Sequence, residues 1–310
     1  MKKVFAIVYI AMIEYDQAKV EIPAIKGEQL VKNSLTGTIY VLLSAICFAL
    51  GGVLIKFIPW SPMTIQGVRS IFSSVVIGGY MYYTKHKFVF NKSVLFGAIC
   101  NMVMAFTFVA ATKLTTAANA IVLQFTEPIF AILLMWVIYK KRPRKEAVVT
   151  CVLVFSGILC FFFESLHVGG MTGNVLAIVS GFFYALVFMM KRFSGADFES
   201  SILLSNAMSM VFAIPAYMNE TTSTPVIWSC IVLLGAVQCG LSYVLLSKGL
   251  DYVSPVTASL TSTIEPILKP LLVAAFYGEK VGAMAILGAI LVVGSATVYN
   301  LIEAQKGLAD

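Results

Sequence analysis

The sequence predicts an all-α polytopic membrane protein, with ten transmembrane helices arranged as two inverted five-helix repeats. Three observations carry this expectation: a composition too apolar for a water-facing surface, ten apolar windows long enough to cross a bilayer, and an internal duplication at a nearly constant offset. Hydrophobic residues make up 59% of the 310 positions and charged residues 12%, and the mean hydropathy is +0.91. That balance leaves too little polar surface to cover a globule in water, so the outer solvent is lipid.

In chain order the windows are Thr36 to Ile55, Pro62 to Tyr83, Ser93 to Thr112, Thr116 to Tyr139, Ala147 to Phe163, Thr172 to Met190, Ser201 to Met218, Pro225 to Ser247, Ser254 to Tyr277 and Val281 to Ile302. A hydrocarbon layer of about 30 Å takes roughly 20 helical residues to cross. Barrel strands need only about ten residues of alternating character, and nothing in the chain alternates. Helices satisfy their backbone polar groups internally and are the remaining solution in lipid.

The formal charge of +7 is placed as membrane topology places it, which argues against nucleic acid as a partner. With the amino terminus in the cytoplasm, Lys2, Lys3, Lys19, Lys26 and Lys32 lie inside. So do Lys85, Lys87, Lys92, the run Lys140, Lys141, Arg142, Arg144 and Lys145, and then Lys191, Arg192, Lys248 and Lys306. The outer loops keep Lys56, Lys113 and Lys280. This asymmetry is the positive-inside pattern, with both termini cytoplasmic in a multi-pass plasma-membrane protein. Residues 1–33 read as a cytoplasmic tail, interfacial or loosely ordered, and residues 304–310 as a second tail. The six cysteines all fall within spans without a pairing motif and read as packing residues.

The duplication divides the chain into a first repeat over residues 34–164 and a second over 165–303. Thr36-Gly37, Ser44, Ala49-Leu50 and Lys56-Phe57 return in the same order and spacing as Thr172-Gly173, Ser180, Ala185-Leu186 and Arg192-Phe193. Glu127-Pro128-Ile129, Leu133-Leu134 and Tyr139 likewise return as Glu265-Pro266-Ile267, Leu271-Leu272 and Tyr277. Five spans per repeat, an odd number, put the second half upside down relative to the first. Two inverted halves can exchange conformations around a site between them, which is the basis of alternating access.

Four ionisable side chains fall within the spans: Arg69, Glu127, Glu265 and Lys269. Each costs about 2.5 to 3.5 kcal/mol at mid-helix on insertion scales, so such groups face a bundle interior or wet cavity and mark function. Glu127 and Glu265 sit at matching midplane positions and each precedes a proline. Pro128 and Pro266 lack a backbone donor, which frees the carbonyls of Gln124 and Ser262 and kinks the helices. Lys269, between Pro266 and Pro270, stands one turn beyond Glu265 and either holds that carboxylate or meets an anionic substrate. Arg69 has no basic counterpart in the second half, where Asn206 and Met208 stand. Its planar fork suits Glu127 or a substrate carboxylate or phosphate. Weaker candidates for the cavity wall are Asn101, Asn119, Tyr184, Asn206, Gln238 and Tyr243, residue types that also bond neighbouring helices. Trp60, Trp136 and Trp228 read as interfacial anchors, and His86 and His167 as solvated loop residues. Ala285 and Ala289 have the small-xxx-small spacing that admits a homodimer contact.

Absent motifs narrow the reading. There is no GxxxxGK[ST] loop, HExxH or GxSxG, so neither nucleotide hydrolysis nor hydrolase chemistry is indicated, no metal site or cofactor is expected, and the chain is read as a non-enzyme.

The prolines Pro128 and Pro266, the segment Gly278-Glu279-Lys280 and the glycine-rich last span with Gly288 and Gly294 together resemble the EamA branch of the drug/metabolite transporter superfamily, over about Thr36 to Leu301. The resemblance implies ten helices with cytoplasmic ends, a central cavity, and export or uptake of small metabolites such as amino acids. The chain departs from the pattern at Lys141, where the first half lacks a counterpart of Glu279. A secondary transporter of a small metabolite is therefore the expected function, with an uncoupled channel or facilitator as the alternative.

Overall fold

The computed structural model describes residues 27–51, 54, 58–140, 142–163, 166, 170–220, 223–268 and 282–306. Twelve α-helices account for most of them: α1 (Gly27–Ala49), α2 (Pro62–Tyr83), α3 (Lys92–Leu114), α4 (Ala117–Gln124), α5 (Glu127–Tyr139), α6 (Lys145–Phe162), α7 (Met171–Met189), α8 (Phe198–Tyr217), α9 (Pro225–Leu233), α10 (Ser242–Leu250), α11 (Pro255–Ser262) and α12 (Ala283–Lys306). A π-helical stretch, Leu234–Leu241, joins α9 to α10, and a 3₁₀ turn, Met190–Arg192, follows α7.

The chain is all-helical in these residues, and seven helices are long and apolar enough to cross a membrane. They cover the third to eighth windows and the tenth. Helix α2 has the length, 22 residues, but Gln66, Arg69, Ser70, Ser73 and Ser74 dilute its apolar character. Helix α1 begins at Gly27, within the segment predicted as tail. Lys269, Pro270, the Gly278-Glu279-Lys280 segment, Lys141 and His167 lie outside the described residues, as does the carboxyl-terminal half of the ninth window.

Local sequence sets the helix starts. Ser61, Asn91, Thr116, Asp197, Thr224 and Ser254 each place a side-chain oxygen on a backbone N–H of the first turn, satisfying donors that the helix leaves open. Three of these caps are followed directly by proline at the first helical position, Pro62, Pro225 and Pro255, where a missing N–H is harmless.

Packing runs mainly between the two halves. Helix α1 lies on α10 and α11, α7 on α3 and the α4–α5 pair, α2 on α8, α5 on α11, and α6 on α12. In span order, the first pairs with the eighth as the sixth pairs with the third, while the second and seventh, fourth and ninth, and fifth and tenth pair with their own counterparts. Helices α6 and α12 cross closely, and a Cβ on Gly288 would stand 2.4 Å from the Gly157 carbonyl oxygen. Ala285 and Ala289 pack beside that crossing, against the cluster of Val122, Phe125, Val154 and Ile158, so the small-residue face of α12 is used inside the chain.

Polarity is distributed for lipid. Val75 and Val137 are each 68% exposed and Ile290 64%, while Gln66, Asn101, Gln124 and Glu127 are buried. Trp60, next to the Ser61 cap, is buried in edge-on contact with Trp228 and Tyr217. Trp136 is half exposed.

Candidate functional site

The fourth span, predicted as a kinked helix, runs as one apolar segment, Ala118–Tyr139, with a short interruption at the predicted place. Helix α4 stops at Gln124, residues 125–126 form a turn, and α5 starts at Glu127. The second half repeats the device: α11 stops at Ser262, 263–264 form a turn, and residues 265–268 are helical. In both, the proline falls in the first turn of the new helix segment, where its lack of N–H is tolerated. A threonine in each break turns back on a carbonyl three residues upstream. Thr126 Oγ1 donates to Leu123 O at 2.7 Å, and Thr263 Oγ1 donates to Leu260 O at 2.6 Å. The freed Gln124 carbonyl is covered by a close approach of α7, since a Cβ on Gly181 would stand 2.5 Å from that oxygen.

The breaks bring Glu127 and Glu265 into the interior beside each other, where α5, α7 and the ninth span meet. Glu127 is 0% exposed and Glu265 5%, and the two are within electrostatic range. Among the described residues the polar group that meets the Glu127 carboxyl is the buried Ser259 hydroxyl, and neither makes a close hydrogen bond elsewhere. Tyr184 on α7 donates its hydroxyl to Glu265 Oε2 at 3.4 Å and stacks edge-on with Phe125 in the first break.

Arg69, on α2, is held by amides. Its Nε donates to Gln66 Oε1 at 2.9 Å, Nη2 donates to the same oxygen, and Nη1 donates to Gln238 Oε1 at 3.1 Å. Gln238 lies in the π-helical stretch, a helix variant found preferentially at functional sites. No carboxylate of the described residues lies within ion-pair distance of Arg69, so the pairing with Glu127 considered from sequence is not made. Tyr243 on α10 connects the two groups: its hydroxyl donates to Asn101 Oδ1 at 2.8 Å, and it is within electrostatic range of both Arg69 and Glu265. Asn101 in turn donates to Ser205 Oγ at 2.9 Å.

The structure thus gathers Arg69, Gln238, Asn101, Tyr243, Tyr184, Glu127 and Glu265 into one polar interior between the halves. Gln124 flanks it, its amide donating to Ser180 Oγ at 2.9 Å, while the Ser262 hydroxyl turns back to Ser259 O at 2.9 Å. Asn206 bonds Ser73 across α8 and α2 at 3.0 Å. Asn119 stands apart in the first turn of α4, with Thr115 and Asn174 as neighbours at 3.2 and 3.5 Å. Gln66 and Ser259 were not singled out from sequence, and Ser180 was named only as the repeat counterpart of Ser44. Gln66, one turn before Arg69, was legible from helical spacing; Ser259 carried no such signal.

A helical membrane protein with an ionisable interior walled by both halves belongs in kind with carriers of small solutes. The model of the EamA-like transporter family matches residues 35–163 and again 171–301, and the chain belongs to that family. It is similar to the transporter YwfM of Bacillus subtilis (strain 168), at 25% identity over 87% of this chain and 95% of the relative. It is also similar to GDP-fucose transporter 1 of Dictyostelium discoideum, at 22% identity over 56% of this chain and 50% of that one. A crystal structure shares the fold at a TM-score of 0.74, covering 87% of this chain and 98% of the other at 17% identity. The protein is a multi-pass membrane transporter of small solutes rather than an enzyme by family.

Proposed function

We propose that the protein is a secondary transporter of the plasma membrane that carries a small metabolite bearing a carboxylate, an amino acid or similar solute, by alternating access. The observation that carries this reading is the state of Arg69: a guanidinium inside the membrane whose donors meet, among the described residues, only amide oxygens. A cation so placed, oriented by Gln66 and Gln238 and left without a carboxylate partner in the described residues, is prepared for a planar anion on the solute. The relative named for GDP-fucose makes a phosphorylated solute the other ligand of the same chemistry.

Glu127 supplies the coupling. An ionised carboxylate buried without an ion-pair partner costs several kcal/mol. Uptake of a proton or small cation offsets that charge, and the ion then travels with, or against, the solute. Ten spans in two inverted repeats, with both termini cytoplasmic, are the architecture we assign. The pairing of the first span with the eighth and the sixth with the third supports it, as do the matched breaks before Pro128 and Pro266. Alternating access consists of rocking one set of spans against the other about the Glu127 and Glu265 breaks.

Purified protein screened for thermal stabilisation by amino acids, other carboxylates and nucleotide sugars identifies the solute, since a ligand of the folded state raises apparent stability by mass action. Counterflow of that solute in liposomes then tests the mechanism. Saturable counterflow is expected; uncoupled conductance in planar bilayers without counterflow sinks the carrier reading in favour of a channel.

A further inference from the structure

We propose that His86, Asp197 and Glu199 form a divalent transition-metal site that ties the first half of the chain to the second at the lysine-rich face. One potential ligand atom from each of the three lies within 4.8 Å of the others. Two ligands on a zinc-sized ion, at bond lengths of about 2.0 to 2.2 Å, stand roughly 3 to 3.5 Å apart, so small side-chain rotations complete the set.

Each donor is aimed by the scaffold. Two residues beyond the end of α2, Lys85 lies in the left-handed region, φ 55°, and the His86 N–H closes the helix by donating to Met81 O at 2.8 Å, a C-terminal capping geometry. That fixes the imidazole, whose Nε2 stands 2.6 Å from Asp197 Oδ2. Asp197 caps α8: its Oδ1 accepts the Ser200 N–H at 2.8 Å, which leaves Oδ2 for the cluster. Glu199, 7% exposed, has Oε1 anchored by the Ser247 hydroxyl at 2.5 Å. One oxygen of each carboxylate is thus held by the protein, the arrangement by which outer partners orient metal ligands.

The donor set selects the ion. An imidazole with two carboxylates suits Zn²⁺, Co²⁺ or Mn²⁺, whereas Mg²⁺ and Ca²⁺ prefer oxygen alone. Without metal, the hydrogen bond between His86 and Asp197 fills the place that the ion takes. A neighbouring ammonium, Lys248, is engaged over the rings of Tyr40 and Tyr80 at 5.8 and 5.2 Å.

The ligands come from the segment after α2 and from the start of α8, which lie in different halves. Further bonds stitch the same seam: Val89 N–H to Ser200 Oγ at 3.0 Å, Asn91 Nδ2 to Gly195 O at 2.7 Å, and Ser93 Oγ to Ser194 O at 2.6 Å. A bound ion adds bonds that must break for the halves to separate, and so slows the transport cycle. Only that last consequence rests on the alternating-access reading.

Tag-free protein in detergent, titrated calorimetrically with Zn²⁺ and spectroscopically with Co²⁺, tests the site without any flux measurement. Saturable binding of one ion per chain is expected, weakened by more than about 100-fold in His86→Gln and in Glu199→Gln, because loss of a ligand exceeds the 10- to 100-fold typical of outer-shell loss. The His86→Gln chain keeps its backbone cap, so circular dichroism matching the parent separates lost binding from misfolding. Absence of saturable binding, or binding undiminished in both variants, overturns the site. In liposomes Zn²⁺ should slow counterflow by the parent and not by His86→Gln; equal flux with and without bound ion overturns the tie between the halves.

Discussion

Ser61 and Asp197 occupy corresponding places in the two repeats, and each is gripped by the opposite half. Ser61 caps α2, and its N–H donates to Glu220 Oε1 at 2.7 Å. Asp197 caps α8 and meets His86 at 2.6 Å. Helices α2 and α8 pack on each other, so each end of this central pair is fastened across the seam.

Asp197 therefore does two jobs that substitution can separate. Asp197→Asn keeps an N-cap of equal rank but weakens the interaction with His86, and should lose at most about 1 kcal/mol, as partly exposed pairs do. Asp197→Ala loses the cap as well and should cost roughly 1 kcal/mol more. Thermal unfolding in detergent ranks the three chains, and equal stability of the Asn and Ala variants contradicts the assignment.

Arg69→Lys should behave as a loss, although charge is kept. An ammonium cannot span Gln66 and Gln238 and also present a flat fork. Solute affinity should fall about tenfold or more, equivalent to roughly 1.4 kcal/mol, with little change in thermal stability of the solute-free protein. Affinity within twofold of the parent would rule Arg69 out as the anion anchor.

Glu127→Gln should leave solute binding intact and abolish the response of flux to an imposed proton or sodium gradient. Glu127→Met, which removes a fully buried carboxyl from the interior, should raise thermal stability by about 1 to 3 kcal/mol while abolishing coupled transport. Gradient-driven accumulation surviving in both variants places coupling elsewhere.

Gly181→Ala puts a methyl group against the Gln124 carbonyl oxygen, at 2.5 Å before relaxation. Overpacking of this kind typically costs about 1 to 3 kcal/mol, and here it forces α7 away from the first break. Reduced thermal stability together with reduced flux is expected; parental values for both would show that α7 does not support the break.

Much of this was legible in the sequence because lipid makes hydropathy a direct record of the helices. The matched positions of Glu127-Pro128 and Glu265-Pro266 located the two breaks, since proline acts on its own local backbone. The depth of each break was not legible: whether proline bends a helix or starts a new one depends on partners such as Thr126 and Gly181, which tertiary packing supplies. The π-helical stretch left no mark in the sequence, because Gly235 to Gly240 reads equally well as ordinary helix. Arg69 was found as a buried charge, but its amide partner Gln238 is 169 residues away. His86 was read as solvated because its partner Asp197, 111 residues away, is brought to it only by folding.

The contact pattern also bears on biosynthesis. Because the spans of the first half pack chiefly on spans of the second, Arg69, Gln66 and Asn101 leave the ribosome well before Gln238, Ser205 and Tyr243, which complete their hydrogen bonds. The nascent amino-terminal half must wait at the translocon with polar side chains facing acyl chains or a chaperone. A chain cut between the halves should survive only when both pieces are co-expressed.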